Sequence, residues 1–551
     1  MIIRTLRANL HKNFVKFSLG IPFFLIFVGI KQIIMKTIRI AYLVLLISIT
    51  AFGQKSEFQV LNEQKILGKN LISGSDIKGQ EFVFPDRIHE FFMDATTNLL
   101  TVQLRGLSKN RKWLNNTGNI LQYDIKNEKL LWSKKMAYQT SKLQQVSKTM
   151  IYTVGNKSYC LDVNTGNNLW ETKNNIYFLD PINNVGIGYK YRSLKGLTNE
   201  LEGIDLFSGD IIWNMELNRE YGWNDAFHIN DSTLIVVAAG LHAININTGG
   251  GWDYTATTAE KDYSGMVAAN VAGLALGILT GTFVVTTGYD LVRDLVSNTL
   301  IDDEFIYFAS KEEIVKIDKQ SGDIVWEHSL PKGMASKSSL LMDDRVVYMI
   351  NNGYAFAGNS QVNFGKVFIA AFDRQTGKQK YLSLIDVKND PVLSSQLSDN
   401  TIYLIHKNKI VKFNEETGEI TEKIFPKNNF GELKYFVGDQ VFFTNQNDDL
   451  LCLSQSDPTK IHVVTDQNKI ISLDNQLNIT NTFTHEDLSN NYLRTKDYSF
   501  FSKGGKTLII NNKKEKVAEI EMDSHAFIIN GILYNKRDKS FVAIDLKEIL
   551  P

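Results

Sequence analysis

Apolar and polar residues alternate with a period of two along most of this chain, in short runs separated by polar turns. Ile314 to Trp326, IVKIDKQSGDIVW, shows the unit most clearly. Ile314 and Lys316 fall on one face of a strand and Val315 and Ile317 on the other, as a pleated sheet imposes. The carboxylate of Asp318 is placed to accept hydrogen bonds from the amides just ahead of it. Gly322 can take the left-handed conformation that a type I turn followed by a bulge requires. The returning strand, Asp323 to Trp326, ends on a large ring. A lone hairpin is marginal in water, so that ring needs a neighbouring unit to cover it.

Repetition supplies the neighbour. Taking the turn acid as marker, copies open at Asp124 (NILQYDIKNEKLLW, ending at Trp132), Asp162 (SYCLDVNTGNNLW, Trp170) and Asp205 (LEGIDLFSGDIIW, Trp213). The fourth copy, LHAININTGGGW, has Asn245 for the acid and places Trp252 one residue early. Asp318 and Trp326 mark the fifth, Asp373 and Tyr381 the sixth, and Asn414 the seventh, where Glu422 replaces the ring. Further copies ending at Asp474, around Asn511 and at Asp545 lack the glycine turn. The early markers are 38, 43 and 40 residues apart, the length of one four-stranded sheet per repeat. Additional strands are predicted at 149–155, 233–239 and 304–310. Five of the seven tryptophans occupy the end position of the repeat or lie one residue from it.

This pattern, a small or apolar residue, then D-x-x-[TS]-G-x-x-x-W, resembles the repeat of the quinoprotein-type (PQQ-like) β-propellers. The group includes quinoprotein alcohol dehydrogenases and a non-enzymatic barrel-assembly lipoprotein of bacterial outer membranes. The likeness covers roughly residues 90–550 and is strongest in the first six copies. It implies an all-β fold: a single propeller of four-stranded blades, eight favoured within a range of seven to ten. Trp132, Trp170, Trp213, Trp252, Trp326 and Tyr381 would then pack between adjacent blades. Asp124, Asp162, Asp205, Asn245, Asp318, Asp373 and Asn414 would be structural turn residues.

One segment breaks the rhythm. The insertion at 255–297 is rich in glycine and alanine, and Met266 to Thr286 carries no charge. Gly265, Ala269, Gly273, Gly277 and Gly281 recur every four residues, a smooth ridge if the segment is helical. Two readings stand: a packed insert covering one face of the propeller, or membrane contact or self-association through 262–288. At the N-terminus, residues 35–53 have the form of a secretory signal peptide, with Lys36 and Arg39 before an apolar run and Ala51-Phe52-Gly53 at the cleavage site. Residues 1–34 contain a second apolar run. Either translation starts at Met35, or the chain carries an N-terminal membrane hairpin. The mature propeller would occupy 54–551, exported to the periplasm, the outer membrane or the exterior.

Composition narrows the chemistry. Lys plus Arg equals Asp plus Glu, 60 against 60, so there is no basic surplus to grip a phosphate backbone, and no nucleic-acid partner is expected. Cys160 and Cys452 sit in matching strand contexts of different repeats and are expected to be unbridged core thiols. The nine histidines show no His-x-x-x-His spacing, and there is no Cys-x-x-Cys, so no metal site is expected. The quinoprotein dehydrogenases that this chain resembles hold PQQ over a calcium ion, beneath a pair of adjacent cysteines. No Cys-Cys pair exists here, and no catalytic residue carries over. Asp302, Asp303, Asp343 and Asp344 read as solvated turn acids. Trp113 and Trp223, in the loops RKWLNN and YGWND, are the candidates for a contact surface.

The expected protein is therefore an exported, non-enzymatic β-propeller that binds a protein partner at the cell envelope, with no cofactor. The alternatives are a dehydrogenase with PQQ and calcium at an atypical site, and an envelope assembly factor anchored by the glycine ridge.

Overall fold

The computed structural model describes residues 59–550 apart from 263–289 and shorter stretches at 138–141, 147–148, 155, 193–195, 219–221, 358–359, 387–389, 399, 438–439, 445–449, 455–459, 486 and 490. The expected signal peptide, the 1–34 extension and the glycine ridge lie outside the described residues. The β-structure forms one compact unit that runs from Val60.

Ten four-stranded antiparallel sheets follow one another among the described residues, at 87–137, 142–172, 174–216, 225–255, 300–329, 338–384, 394–424, 433–484, 491–520 and, last, 527–545 completed by the N-terminal strand Asp76–Val83. Within each sheet the third strand is the repeat's marker strand. In the fifth sheet, Ile314, Val315 and Ile317 have no exposed surface and Lys316 keeps 6%. Both faces of that strand are covered because the sheets on either side press against it. One cluster joins Trp213 of the third sheet to Leu234 and Ile244 of the fourth, and another joins Trp326 of the fifth to Val347 and Phe372 of the sixth. Burying such aliphatic side chains stabilises by roughly 1.5–3 kcal/mol each.

Two devices close the ring. Gln80 to Val83 pair antiparallel with Ala543 to Ser540, so the start of the unit supplies the fourth strand of its last sheet. The preceding strand, Leu61–Asn70, pairs with Asp76–Val83 and also, through Gly68 to Asn70, with Ile520 to Ala518 of the ninth sheet. Phe91 of the first sheet then lies 5.5 Å from Phe527 and 5.1 Å from Phe541 of the tenth. The first and last sheets thus meet through packed rings, while the last sheet is completed by a strand from the start of the unit, the usual propeller closure.

The favoured count of eight is corrected to ten, the upper bound of the expected range. Beyond Phe430 the repeats keep their turns while losing the residues that advertise them. Asp474 still accepts from the amides of Gln476 and Asn478, and Asn511 from those of Lys513 and Glu515. The left-handed position, held by glycine in the second to seventh repeats, falls here to Leu477 (φ 62°) and Lys514 (φ 65°), as it does to Glu128 (φ 52°) in the first. A three-stranded wedge, Gln440–Thr444, Leu450–Ser454 and Asp487–Ser489, also lies between the eighth and ninth sheets. Its Phe443 packs on Val464 and Ile470, and its Phe442 ring lies 4.6 Å from Phe501. This wedge exposes Cys452, which is therefore not the core thiol expected; Cys160 is buried, and both thiols are free. Burial pushes the Cys160 thiol up to about 11.

Candidate binding face

The turns and rings of the repeat interlock from one sheet to the next. Asp162, Asp205, Asn245, Asp318, Asp373 and Asn414 each accept two backbone amides through Oδ1, from the residues two and three positions on. Asp124 accepts the amide of Asn127. The indole Nε1 of Trp132 donates to the Val163 carbonyl of the next sheet at 2.7 Å, that of Trp170 to Leu206 at 3.1 Å and that of Trp213 to Ile246 at 2.6 Å. Trp252 reaches Lys319 at 3.3 Å and Trp326 reaches Arg374 at 3.2 Å. In every case the acceptor is the residue directly after the next sheet's turn acid.

The glycine of that turn is needed twice over. Gly166, Gly209, Gly249, Gly322 and Gly377 have φ between 70° and 80°. A Cβ on Gly166, Gly209, Gly249 or Gly377 would stand 2.6 to 2.8 Å from the preceding tryptophan ring, and one on Gly322 would stand closer still. Tyr381 departs from this scheme: its ring meets Phe413 at 5.1 Å, its hydroxyl is buried without a partner, and the space at Gly418 is open.

Strand parity sorts the loops. Because pairing within each sheet is antiparallel, connections from strand one to two and from three to four leave at one end, and those from two to three and from sheet to sheet at the other. The repeat turns occupy the first end. The second end gathers Trp113, Trp223 and both ends of the 255–297 insertion.

Trp113 stands 72% exposed on a short ordered loop. The amide of Ser108 donates to the Trp113 carbonyl at 2.8 Å, the Trp113 amide returns to Ser108 Oγ at 3.2 Å, and Leu107 bridges to Leu114. Trp223, on the same end, is not the exposed ring that was expected. It is half-buried, with Nε1 donating to the Tyr189 hydroxyl at 2.9 Å and its ring 5.8 Å from Tyr177. The insertion leaves and returns through paired strands, Ala259–Asp262 and Asp290–Arg293. These extend the sixth sheet, where Val292 and Arg293 pair with Ala357 and Phe356 at the far end of a long hairpin. Val292, Leu295 and Ala355 form a small core beneath it. Both flanks of the insertion are thus packed β-structure; the ridge itself lies outside the described residues.

Among the described residues no three His, Cys, Asp or Glu side chains converge as a metal cage would need, and the thiols sit far apart in the fold. Of the paired turn acids, Asp302 and Asp343 are engaged within the fold. Asp302 accepts the amides of Glu304 and Phe305, the Tyr307 hydroxyl and the Arg374 guanidinium; Asp343 accepts the amides of Arg345 and Val346 and the Tyr348 hydroxyl. No described helix is long and apolar enough to cross a membrane.

The family model described as "Outer membrane protein assembly factor BamB" matches residues 198–463. No curated protein matches the chain. Among solved structures, BamB from Moraxella catarrhalis is 14% identical, with a TM-score of 0.29, over 69% of this chain and 96% of its own. Apo AztD from Citrobacter koseri is 10% identical, with a TM-score of 0.30, over 67% of this chain and 92% of its own. A eukaryotic initiation factor is 8% identical, with a TM-score of 0.31, over 80% of this chain and 97% of its own. The chain is a β-propeller built from PQQ-like repeats, as its sheets and seams define it.

Proposed function

We propose that this protein is a scaffold of the bacterial cell envelope, exported by its N-terminal segment, that binds a protein partner through the end carrying Trp113 and the insertion. The observation that carries the reading is Trp113 itself: a large ring, 72% exposed, held out on a hydrogen-bonded loop. Exposed aromatics on ordered loops are the usual anchors of protein interfaces. The family match adds a setting, since its description concerns outer-membrane protein assembly. The propeller supplies a rigid frame, and the loops supply specificity.

Site-specific photo-crosslinking in envelope extracts tests this. A photoreactive residue at position 113 is expected to trap a protein that the same residue at Ile182, on the opposite end, does not. Equal trapping at both positions, or none at 113, overturns the proposal.

A further inference from the structure

A second site opens among the first strands of four consecutive sheets. A cavity of about 430 Å³ lies between Asn224 and Asp225 of the fourth sheet, the segment Asp294 to Thr299 leading into the fifth, Lys337 to Leu341 of the sixth and Ser395 of the seventh. That volume lies within the range of small-molecule sites. Asp294 adopts a left-handed backbone (φ 69°), unusual for a residue with a side chain. Its carboxylate accepts from Asn224 Nδ2 at 3.0 Å and from Lys337 Nζ at 2.9 Å, so both of its oxygens are engaged.

Two polar atoms here are buried without partners. Ser338 is 3% exposed, and its Oγ makes no hydrogen bond. Asn224 turns its Nδ2 to Asp294 and leaves its Oδ1 unmatched. A buried acceptor without a donor is costly, and a site that holds one is poised for a ligand bearing N–H groups. Two carboxylates, Asp225 and Asp294, and one ammonium, Lys337, line the cavity, a formal excess of one negative charge. Val296 and Leu340, both buried, give the cavity an apolar wall.

We infer that this cleft binds a small primary-ammonium compound with a short aliphatic body. Its N–H groups donate to Asn224 Oδ1, Asp225 and Ser338 Oγ, and its hydrocarbon lies against Val296 and Leu340.

The test is titration calorimetry on the full chain with 1,4-diaminobutane and n-butylamine, against 1-butanol and butyrate as neutral and anionic matches. Saturable binding of the amines at one per chain is expected, with no binding of the alcohol or the acid. Asp225→Asn, at an exposed rim position, is expected to weaken amine binding about tenfold, as loss of one charge-assisted hydrogen bond would. Ser338→Ala should weaken it severalfold. Both variants should keep the wild-type circular dichroism spectrum, which separates loss of binding from loss of fold. No saturable amine binding, equal binding of 1-butanol or butyrate, or amine binding unchanged in both variants would overturn the inference.

Discussion

The indole of Trp326 donates to the Arg374 carbonyl at 3.2 Å, and the side chain of the same arginine reaches back to Asp302 at 2.8 Å and the Tyr307 hydroxyl at 3.1 Å. Lys316, buried beside the ring of Phe305, donates to that same carbonyl at 3.1 Å. One residue of the sixth sheet thereby gathers four side chains of the fifth. The repeat therefore does more than stack apolar faces: each of the five tryptophan seams carries a directional bond to the next sheet.

Trp213 has the shortest of these bonds and is 7% exposed. Trp213→Phe keeps most of the ring and strands the Ile246 carbonyl, which should cost about 1–3 kcal/mol. Trp213→Ala should cost about 3–5 kcal/mol by opening a cavity between the third and fourth sheets. Urea unfolding followed by circular dichroism measures both. No loss for Trp213→Phe beside the full loss for Trp213→Ala would show that the bond contributes nothing beyond the ring.

Gly249 and Gly418 form a matched pair. Both are left-handed, at φ 72° and 69°, but a Cβ at Gly249 meets the Trp213 ring at 2.8 Å, whereas nothing lies within 4 Å at Gly418. Gly418→Ala should cost only the backbone penalty, about 1–2 kcal/mol. Gly249→Ala should cost clearly more, because the ring must also shift. The difference between the two urea midpoints reads the seam directly.

Tyr381 buries a hydroxyl with no partner where five other repeats place a tryptophan that has one. Tyr381→Phe removes that hydroxyl and should be neutral or stabilising, by up to about 1–3 kcal/mol. A thermal midpoint well below wild type would show that the hydroxyl is satisfied in solution.

Burial pushes the Asp302 carboxyl up, but Arg374, the amides of Glu304 and Phe305 and the Tyr307 hydroxyl outweigh it and hold the group down at about 2. The folded value lies below the unfolded one, so the stabilisation is complete above the ordinary aspartate range and is lost as pH falls through about 2. Asp302→Asn should therefore lower the urea midpoint at neutral pH and converge on wild type in strong acid. A constant gap between the two proteins across that range would contradict the assignment.

The two N-terminal strands can be removed together. A chain beginning at Pro85 lacks both Leu61–Asn70 and Asp76–Val83, which leaves the edges at Ala518 to Ile520 and at Ser540 to Ala543 unpaired. It should unfold at lower urea than the full unit and self-associate through the bared edges, visible by size-exclusion chromatography. A monomer of unchanged stability would mean that the ring does not depend on this clasp.

The period-two alternation and the D-x-x-[TS]-G-x-x-x-W spacing were sufficient for the strands, the turns and the propeller class, because each is set by residues within a few positions of one another. The glycines were legible as left-handed turn residues. Their second role, leaving room for the preceding sheet's tryptophan, was present only as the regular interval between a Trp and the next Thr-Gly or Ser-Gly. Where Leu477 and Lys514 took the glycine's place the marker vanished while the turn survived, and the sheet count was read short.

Tertiary structure alone decided the rest. The pairing of Gln80 with Ala543 and the contact of Phe91 with Phe527 join residues from opposite ends of the unit, and no local pattern encodes them. The half-burial of Trp223, the exposure of Trp113 and Cys452, and the cleft of Asn224, Asp294 and Ser338 likewise depend on which sheets become neighbours. Local alternation fixes what each strand can bury; only closure of the ring determines against what.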